Sequence, residues 1–304
     1  MGSNNSSVDF VGIGVGRSGT IWILNALAEH KGIWFPYTKE LNYFSNPHGG
    51  EVSEYDKRGI NGYLDLFKEC PKNKIKGEFS SHYMPDPKVP KILKKHFPNV
   101  KIWAILRDPV ERAFSDYVRG KEFHLKEKDS FEEAFFAEKN ILYKKGDGYQ
   151  ERGYYYKHLK RYFELFSREN IKIILYDDFK KDNEKVIKEL YEFLGVDPLF
   201  KPSIIGKRIN ERTGTKFRGI KKVITFLAKI SHKLEEGMIG KLIYTIKRKT
   251  GINRFFNQLN ELNTKKEVEK EKLDPELRDK LKVVYLDDIT KLEKLIGRDL
   301  SEWK

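Results

Sequence analysis

The stretch Val8 to Thr20 (VDFVGIGVGRSGT), continued by Ile21 to His30 (IWILNALAEH), decides the fold. Val8 to Gly14 is a short apolar run ending in glycines, and Thr20 to His30 carries apolar residues at helical spacing. The pattern predicts a buried strand, a Gly-rich turn and a helix. Such a turn aims backbone N–H groups and a helix N-terminus at one point, which makes an anion site. A P-loop nucleotide kinase needs GxxxxGK[ST]. Gly14 and Gly19 have that separation, but Thr20 stands where the Lys belongs, and the cation is Arg17 inside the turn. A tight connection without a ligand is the plain alternative.

Outward from this unit, Lys101 to Leu106 (KIWAIL) predicts a second buried strand, stopped by Arg107, Asp108 and Pro109. The segment from Pro109 to Phe123 then reads as helix, with Asp108 and Glu111 as a capping box and Pro109 at the first helical position. Ile171 to Tyr176 (IKIILY) is another strand, followed by a helix from Asn183 to Leu194 that stops at Gly195. Lys74 to Phe79 and Gly32 to Phe35 are weaker strand candidates, and a last helix runs from about Pro275 to Ile296. Strands alternating with helices give an α/β class, a P-loop-like parallel β-sheet flanked by helices on both faces.

The 304 residues carry 59 Lys and Arg against 45 Asp and Glu, a net charge of +14, with 39% hydrophobic residues. That excludes disordered and fibrous classes and allows a sizeable core. A lone cysteine, Cys70, closes no intrachain disulfide, and no apolar run approaches the roughly 18 residues of a membrane span. A cytoplasmic location is expected, with peripheral attachment at the inner membrane face as a variant. Residues 1–7 read as a disordered leader or cloning scar, although Met1, Gly2 and Ser6 also fit a myristoylation pattern. Residues 8–304 read as a single domain with a basic helical insertion at about 216–264 near the carboxyl end. Between Lys216 and Gly251, ten basic residues face only Glu235 and Glu236, and apolar stripes predict two basic amphipathic helices over 220–249. They suit an anionic surface, either a membrane or a charged acceptor, or a plain hairpin packed on the core. A basic nucleic-acid-binding protein is the rival from a different class, but the charge concentrates in one insertion and no nucleic-acid motif is present, so no nucleic-acid partner is expected.

Arg107 ends the second strong strand, and Ser115 lies two helical turns beyond the Asp108 cap, on the same side of the helix. A guanidinium and a hydroxyl there can hold a second phosphate, although each alone is an ordinary surface group. Two anion sites at the carboxyl ends of parallel strands suggest a nucleotide with phosphates at two separate positions.

At these residues the sequence resembles the sulfotransferases that use 3′-phosphoadenosine 5′-phosphosulfate (PAPS). Gly14 to Trp22 (GVGRSGTIW) is similar to their 5′-phosphosulfate loop, and Leu106 to Tyr117 (LRDPVERAFSDY) to their 3′-phosphate motif. Lys39-Glu40 with Tyr43-Phe44, Gly77 to Tyr83 (GEFSSHY) and Glu151 to Tyr162 resemble blocks of the heparan-sulfate-type branch. The carboxyl end, LDPELRDKL followed by IGRDLSEW, is similar too. The resemblance implies that Gly16, Arg17, Ser18, Gly19, Thr20 and Ile21 meet the 5′-phosphosulfate and that Arg107 and Ser115 meet the 3′-phosphate. It places Tyr176 near the adenine, and Lys216 and Arg218 in a late basic loop over the cofactor.

The activity implied is transfer of the sulfuryl group from PAPS to a hydroxyl or amine of a carbohydrate or glycolipid, releasing the bisphosphate PAP, with no metal. A small hydroxylated metabolite is the alternative acceptor. Arg17 and the helix N-terminus would stabilise charge on the leaving phosphate. Glu40 is the candidate general base and His82 its rival. This chain departs from the branch in having Arg17 for the usual Lys, Phe79 where relatives often have Lys, and Asn42 where some have His.

Overall fold

The computed structural model describes residues 7–36, 40–46, 52–122, 128, 130–137, 148–206 and 271–304, together with the backbone of 214–215 and 264–265. Contacts divide the chain into two units, residues 1–209 with 273–304, and residues 210–272.

In the first unit, β1 (Phe10–Gly14) leads to α1 (Thr20–Glu29) and β2 (Ile33–Trp34). Next come α2 (Glu54–Leu64), β3 (Ile75–Phe79), α3 (Val89–His96), β4 (Lys101–Leu106) and α4 (Pro109–Glu122). They are followed by α5 (Phe131–Phe136), α6 (Tyr155–Phe163), β5 (Ile171–Leu175), α7 (Tyr176–Lys181) and α8 (Asn183–Leu194). In the second unit β6 (Gly214–Thr215) pairs antiparallel with β7 (Thr264–Lys265). The expected basic helices over 220–249 lie outside the described residues, as does residue 216 onward up to β7. The chain closes in the first unit with α9 (Pro275–Lys282) and α10 (Leu286–Ile296).

The five strands of the first unit form one parallel sheet in the order β2-β3-β1-β4-β5, with β1 at its centre. Alternation along the strands divides the core. Val11, Ile13, Ile102, Ala104 and Leu106 pack with Val110 and Ala113 of α4, Tyr155 and Leu159 of α6, and Ile289 and Leu292 of α10. Phe10, Trp103 and Ile105 point the other way, onto Trp22, Ile23 and Leu27 of α1 and Leu190 and Tyr191 of α8. Both faces are therefore covered, as a central parallel strand requires. All five strands end at one edge, so the segments following β1, β3 and β4 converge there.

Two expectations change in detail. The last helix is broken between α9 and α10 by a 3-10 turn, Val283–Tyr285. The break turns the fully buried Tyr285 inward, where its hydroxyl donates to Gln150 O at 2.8 Å. The capping box before α4 is half made. Asp108 Oδ1 accepts from the amides of Val110 and Glu111, at 2.9 and 3.0 Å. The Glu111 carboxylate is instead taken by the guanidinium groups of Arg107 and Arg278, which bind it more strongly than a neutral amide can. Among the described residues, no helix is long and apolar enough to cross a membrane.

Candidate active site

The turn after β1 is fixed from both sides. Val15 N donates to Ile105 O of β4 at 2.9 Å, which ties the turn to the neighbouring strand. Arg17 has φ of 71°, an unfavourable conformation for a non-glycine residue that its neighbours must hold. Its carbonyl accepts from Arg107 Nη1 at 3.2 Å, and its Nε donates to Ser115 Oγ at 3.2 Å. Gly19, the N-cap of α1, has φ of 82°, and a Cβ there would stand 2.9 Å from Phe179 Cε1 and 3.4 Å from Tyr176 Cε2. The Tyr176 ring in turn lies under the Arg107 guanidinium, 5.0 Å from centroid to Cζ. Arg17, Arg107, Ser115, Gly19 and Tyr176 thus meet in one place, although they come from three separate stretches of chain.

Beneath Arg17 lies a buried ionic layer. The Asp116 carboxylate is 2.9 Å from Arg112 Nη1, and 3.8 Å from both Arg17 Nε and Arg152 Nη1. Arg112 also donates to Tyr149 O, and Arg152 to Ser81 O at 3.4 Å. This layer locks Ser115 and Ser81 to a common floor. Sequence reasoning missed it, although Arg112 and Asp116 at i, i+4 spacing in an otherwise apolar helix face are a usable signal.

Across the mouth stands the Glu40 segment. Ser81 Oγ donates to Glu40 Oε2 at 2.7 Å, and a Cβ built on Gly16 would lie 3.7 Å from Ser81 Cβ. One serine therefore separates the exposed Glu40 carboxylate from the anion loop. His82 follows Ser81 and is buried. Thr20 is buried behind the loop, while Ile21 is 44% exposed. Phe79 is core, stacked on Trp103 at 5.2 Å. Lys39, Lys216 and Arg218 lie outside the described residues.

The loop fits an anionic nucleotide on its own geometry. Ser18 Oγ is fully buried and has no hydrogen-bond partner, an arrangement that costs about 1–3 kcal/mol unless a ligand satisfies it. The N-terminus of α1 has no side-chain cap and no acidic residue in its first turn. Its positive end is left for an external anion. Arg107 donates to the Arg17 carbonyl, so a second cation stands against the turn.

Comparison with known proteins gives the family. The family model described as "Sulfotransferase domain" matches residues 8–203, more than half of the chain. The membrane-associated sulfotransferase kil1 of Dictyostelium discoideum is 29% identical over 109 residues, 36% of this chain and 22% of that protein. Heparan sulfate glucosamine 3-O-sulfotransferase 5 of Mus musculus is 28% identical over 193 residues, 61% of this chain and 53% of that protein. The chain thus spans about half the length of this relative, and less of the first. A sulfotransferase crystal structure from Alicyclobacillus acidocaldarius superposes with a TM-score of 0.67 at 25% identity, covering 97% of this chain and 98% of that one.

Proposed function

Because the chain belongs to the sulfotransferase domain family, we propose that it transfers the sulfuryl group of PAPS to a hydroxyl of a carbohydrate or glycolipid and releases PAP. The observation that carries this reading is the single cradle formed by Arg17, Ser18, Arg107 and Ser115 with Glu40 facing it across Ser81. When bound, PAPS supplies an activated sulfuryl group whose leaving phosphate takes up negative charge.

Each residue then has a defined task. Ser18 and the α1 N-terminus receive the 5′-side anion, and Arg17 holds positive charge where negative charge grows. Arg107 and Ser115 receive the 3′-phosphate, and Tyr176 lines the base. Gly16 and Gly19 let the backbone approach, with Thr20 and Ile21 opening α1. Ser81 occupies Glu40 Oε2 with its proton, so Oε1 is the oxygen that accepts the proton of the acceptor hydroxyl. Lys216 and Arg218 remain assigned to closure over the nucleotide, and 220–249 to an anionic surface at a cytoplasmic membrane face.

The carbohydrate acceptor is supported by the Glu40 motif shared with the glycan-modifying branch. A small hydroxylated metabolite is favoured by one observation, that Phe79 is packed in the core where those relatives often present a Lys to the acceptor. Transfer of labelled sulfate from PAPS onto separate glycan, glycolipid and phenol pools decides between them. PAP at about 100 times its Kd should stabilise the fold by about 2.7 kcal/mol. A melting temperature raised by ATP but not by PAP would remove the donor assignment.

A further inference from the structure

Glu78 on β3 is 2% exposed and takes no part in the tasks above. Its Oε1 accepts from Tyr63 Oη at 2.9 Å and Tyr83 Oη at 2.7 Å, and its Oε2 from Ser80 Oγ at 2.8 Å. Two of these hydroxyls also accept backbone amides from the Glu40 segment. Asn42 N donates to Ser80 Oγ at 2.9 Å, and Tyr43 N to Tyr83 Oη at 3.0 Å. We propose that Glu78 is a positioning residue, which holds Glu40 at the mouth by fixing the direction of the Ser80 and Tyr83 protons. This rests on the reading of Glu40 as the base.

The argument is one of hydrogen-bond polarity. A hydroxyl has a single proton, and an ionised carboxylate only accepts. Ser80 and Tyr83 must therefore spend their protons on Glu78 and turn lone pairs to the two amides. The segment needs that hold, because Glu40 and Asn42 both have positive φ, 51° and 47°, which costs about 1–3 kcal/mol each. A protonated Glu78, or Gln in its place, donates to one of these oxygens, and where that is Ser80 or Tyr83 the hydroxyl loses its acceptor, so its proton is no longer held away from the amide.

The groups facing Glu78 are Tyr63 from α2, Ser80 and Tyr83 from the turn after β3, and Glu40 from the segment itself. Burial pushes its carboxyl up to about 7. The three hydroxyl bonds oppose the rise and the Glu40 charge adds to it. The holding state is the ionised one, so transfer should weaken as pH falls through about 7.

The test combines amide exchange at Asn42 and Tyr43, read by NMR, with single-turnover transfer from PAPS to a heparan-derived oligosaccharide or 4-nitrophenol. In Glu78→Gln the amide held by the hydroxyl that receives the new proton, that of Asn42 or of Tyr43, should exchange at least tenfold faster at pH 8. The transfer rate should fall on the order of 10- to 100-fold, with PAP affinity held within twofold. Tyr63→Phe, which removes a bond that lowers the carboxyl pKa, should move the acid limb of the rate profile to higher pH. Should Glu78→Gln not fold, Ser80→Ala and Tyr83→Phe decide, each expected to release its own amide. Unchanged protection, or PAP affinity falling in step with rate, overturns the proposal. Released amides in an enzyme that Glu40→Gln leaves unimpaired overturn the base assignment, and with it the role given to Glu78.

Discussion

Arg17 Nε donates to Ser115 Oγ across 3.2 Å, although 98 residues separate them in sequence. The loop read as a 5′-phosphosulfate site and the helix read as a 3′-phosphate site are therefore in direct contact. Arg107 strengthens the link by donating to the Arg17 carbonyl, so one cation supports the backbone of the other. Losses at the two subsites should then be unequal in a predictable way.

Ser115→Ala removes the hydroxyl proposed for the 3′-phosphate, which also accepts from Arg17 Nε. PAP should bind about tenfold more weakly, the usual effect of losing a hydrogen bond to a charged group. Adenosine 5′-phosphosulfate, which lacks the 3′-phosphate, should change by no more than two- to threefold. Arg107→Ala should weaken both ligands, PAP more, because the Arg17 backbone loses its support as well. Calorimetric titration checks the order, and equal losses for both ligands in Ser115→Ala would separate Ser115 from the 3′-phosphate.

Gly19→Ala tests the N-cap. At φ of 82° an added Cβ is strained, and it would also press on the Phe179 ring 2.9 Å away. The backbone cost is about 1–2 kcal/mol before any clash. Urea unfolding should show a loss of that order or more, and PAP binding should weaken further because the first turn of α1 shifts.

The two strand-turn-helix units were legible because their signals are local. Glycines, Arg17, Arg107 and Pro109 stand within a few residues of the ends they define, and the structure places β1, α1, β4 and α4 close to the expected bounds. The holding apparatus of Glu40 was not legible. It joins Ser81 to Glu40 across 41 positions and Tyr63 to Glu78 across 15, on hydroxyls that carry no periodic signal. Strand alternation puts Glu78 on a face but does not say that three hydroxyls wait there. The break before α10 was missed for a similar reason, since Tyr285 is drawn inward by a carbonyl 135 positions away.

His158 should make the fold acid-sensitive. Burial lowers its pKa to about 3, even though the Glu151 carboxylate lies 3.9 Å away, because Lys157 engages that carboxylate and Arg161, Lys157 and Arg152 add positive charge. Its Nε2–H donates to Glu151 O at 2.9 Å, which assigns the neutral tautomer. The unfolded chain takes up this proton near pH 6.5 and the folded one does not. Stability should therefore fall as pH drops from about 6.5 toward 3, by about 1.4 kcal/mol per pH unit. Glu78 acts in the opposite sense, since its raised folded pKa makes stability fall as pH rises from 4.5 to about 7. Wild-type stability should look flat where the windows overlap. Differences from His158→Gln and Glu78→Gln, by urea titration at each pH, should separate the two slopes, and parallel wild-type and His158→Gln curves would refute the His158 assignment.

Glu40 and His82 compete for the base. Glu40 is exposed at the mouth, oriented by Ser81 through Oε2, whereas His82 is buried. Glu40→Gln keeps the Ser81 bond and the size of the side chain but removes the proton acceptor. The single-turnover rate should fall by roughly 10² to 10⁴, while PAP affinity holds within a few-fold, because Glu40 is assigned to no phosphate. Ser81→Ala should give a smaller loss, about tenfold, since Glu40 keeps its chemistry and loses only its aim. His82→Ala should cost less than Glu40→Gln at saturating acceptor. A collapse in His82→Ala with near-normal turnover in Glu40→Gln would move the base to His82, and the hold that Ser81 exerts on Glu40 would then have to serve acceptor binding, visible as a raised acceptor KM in Ser81→Ala with kcat unchanged.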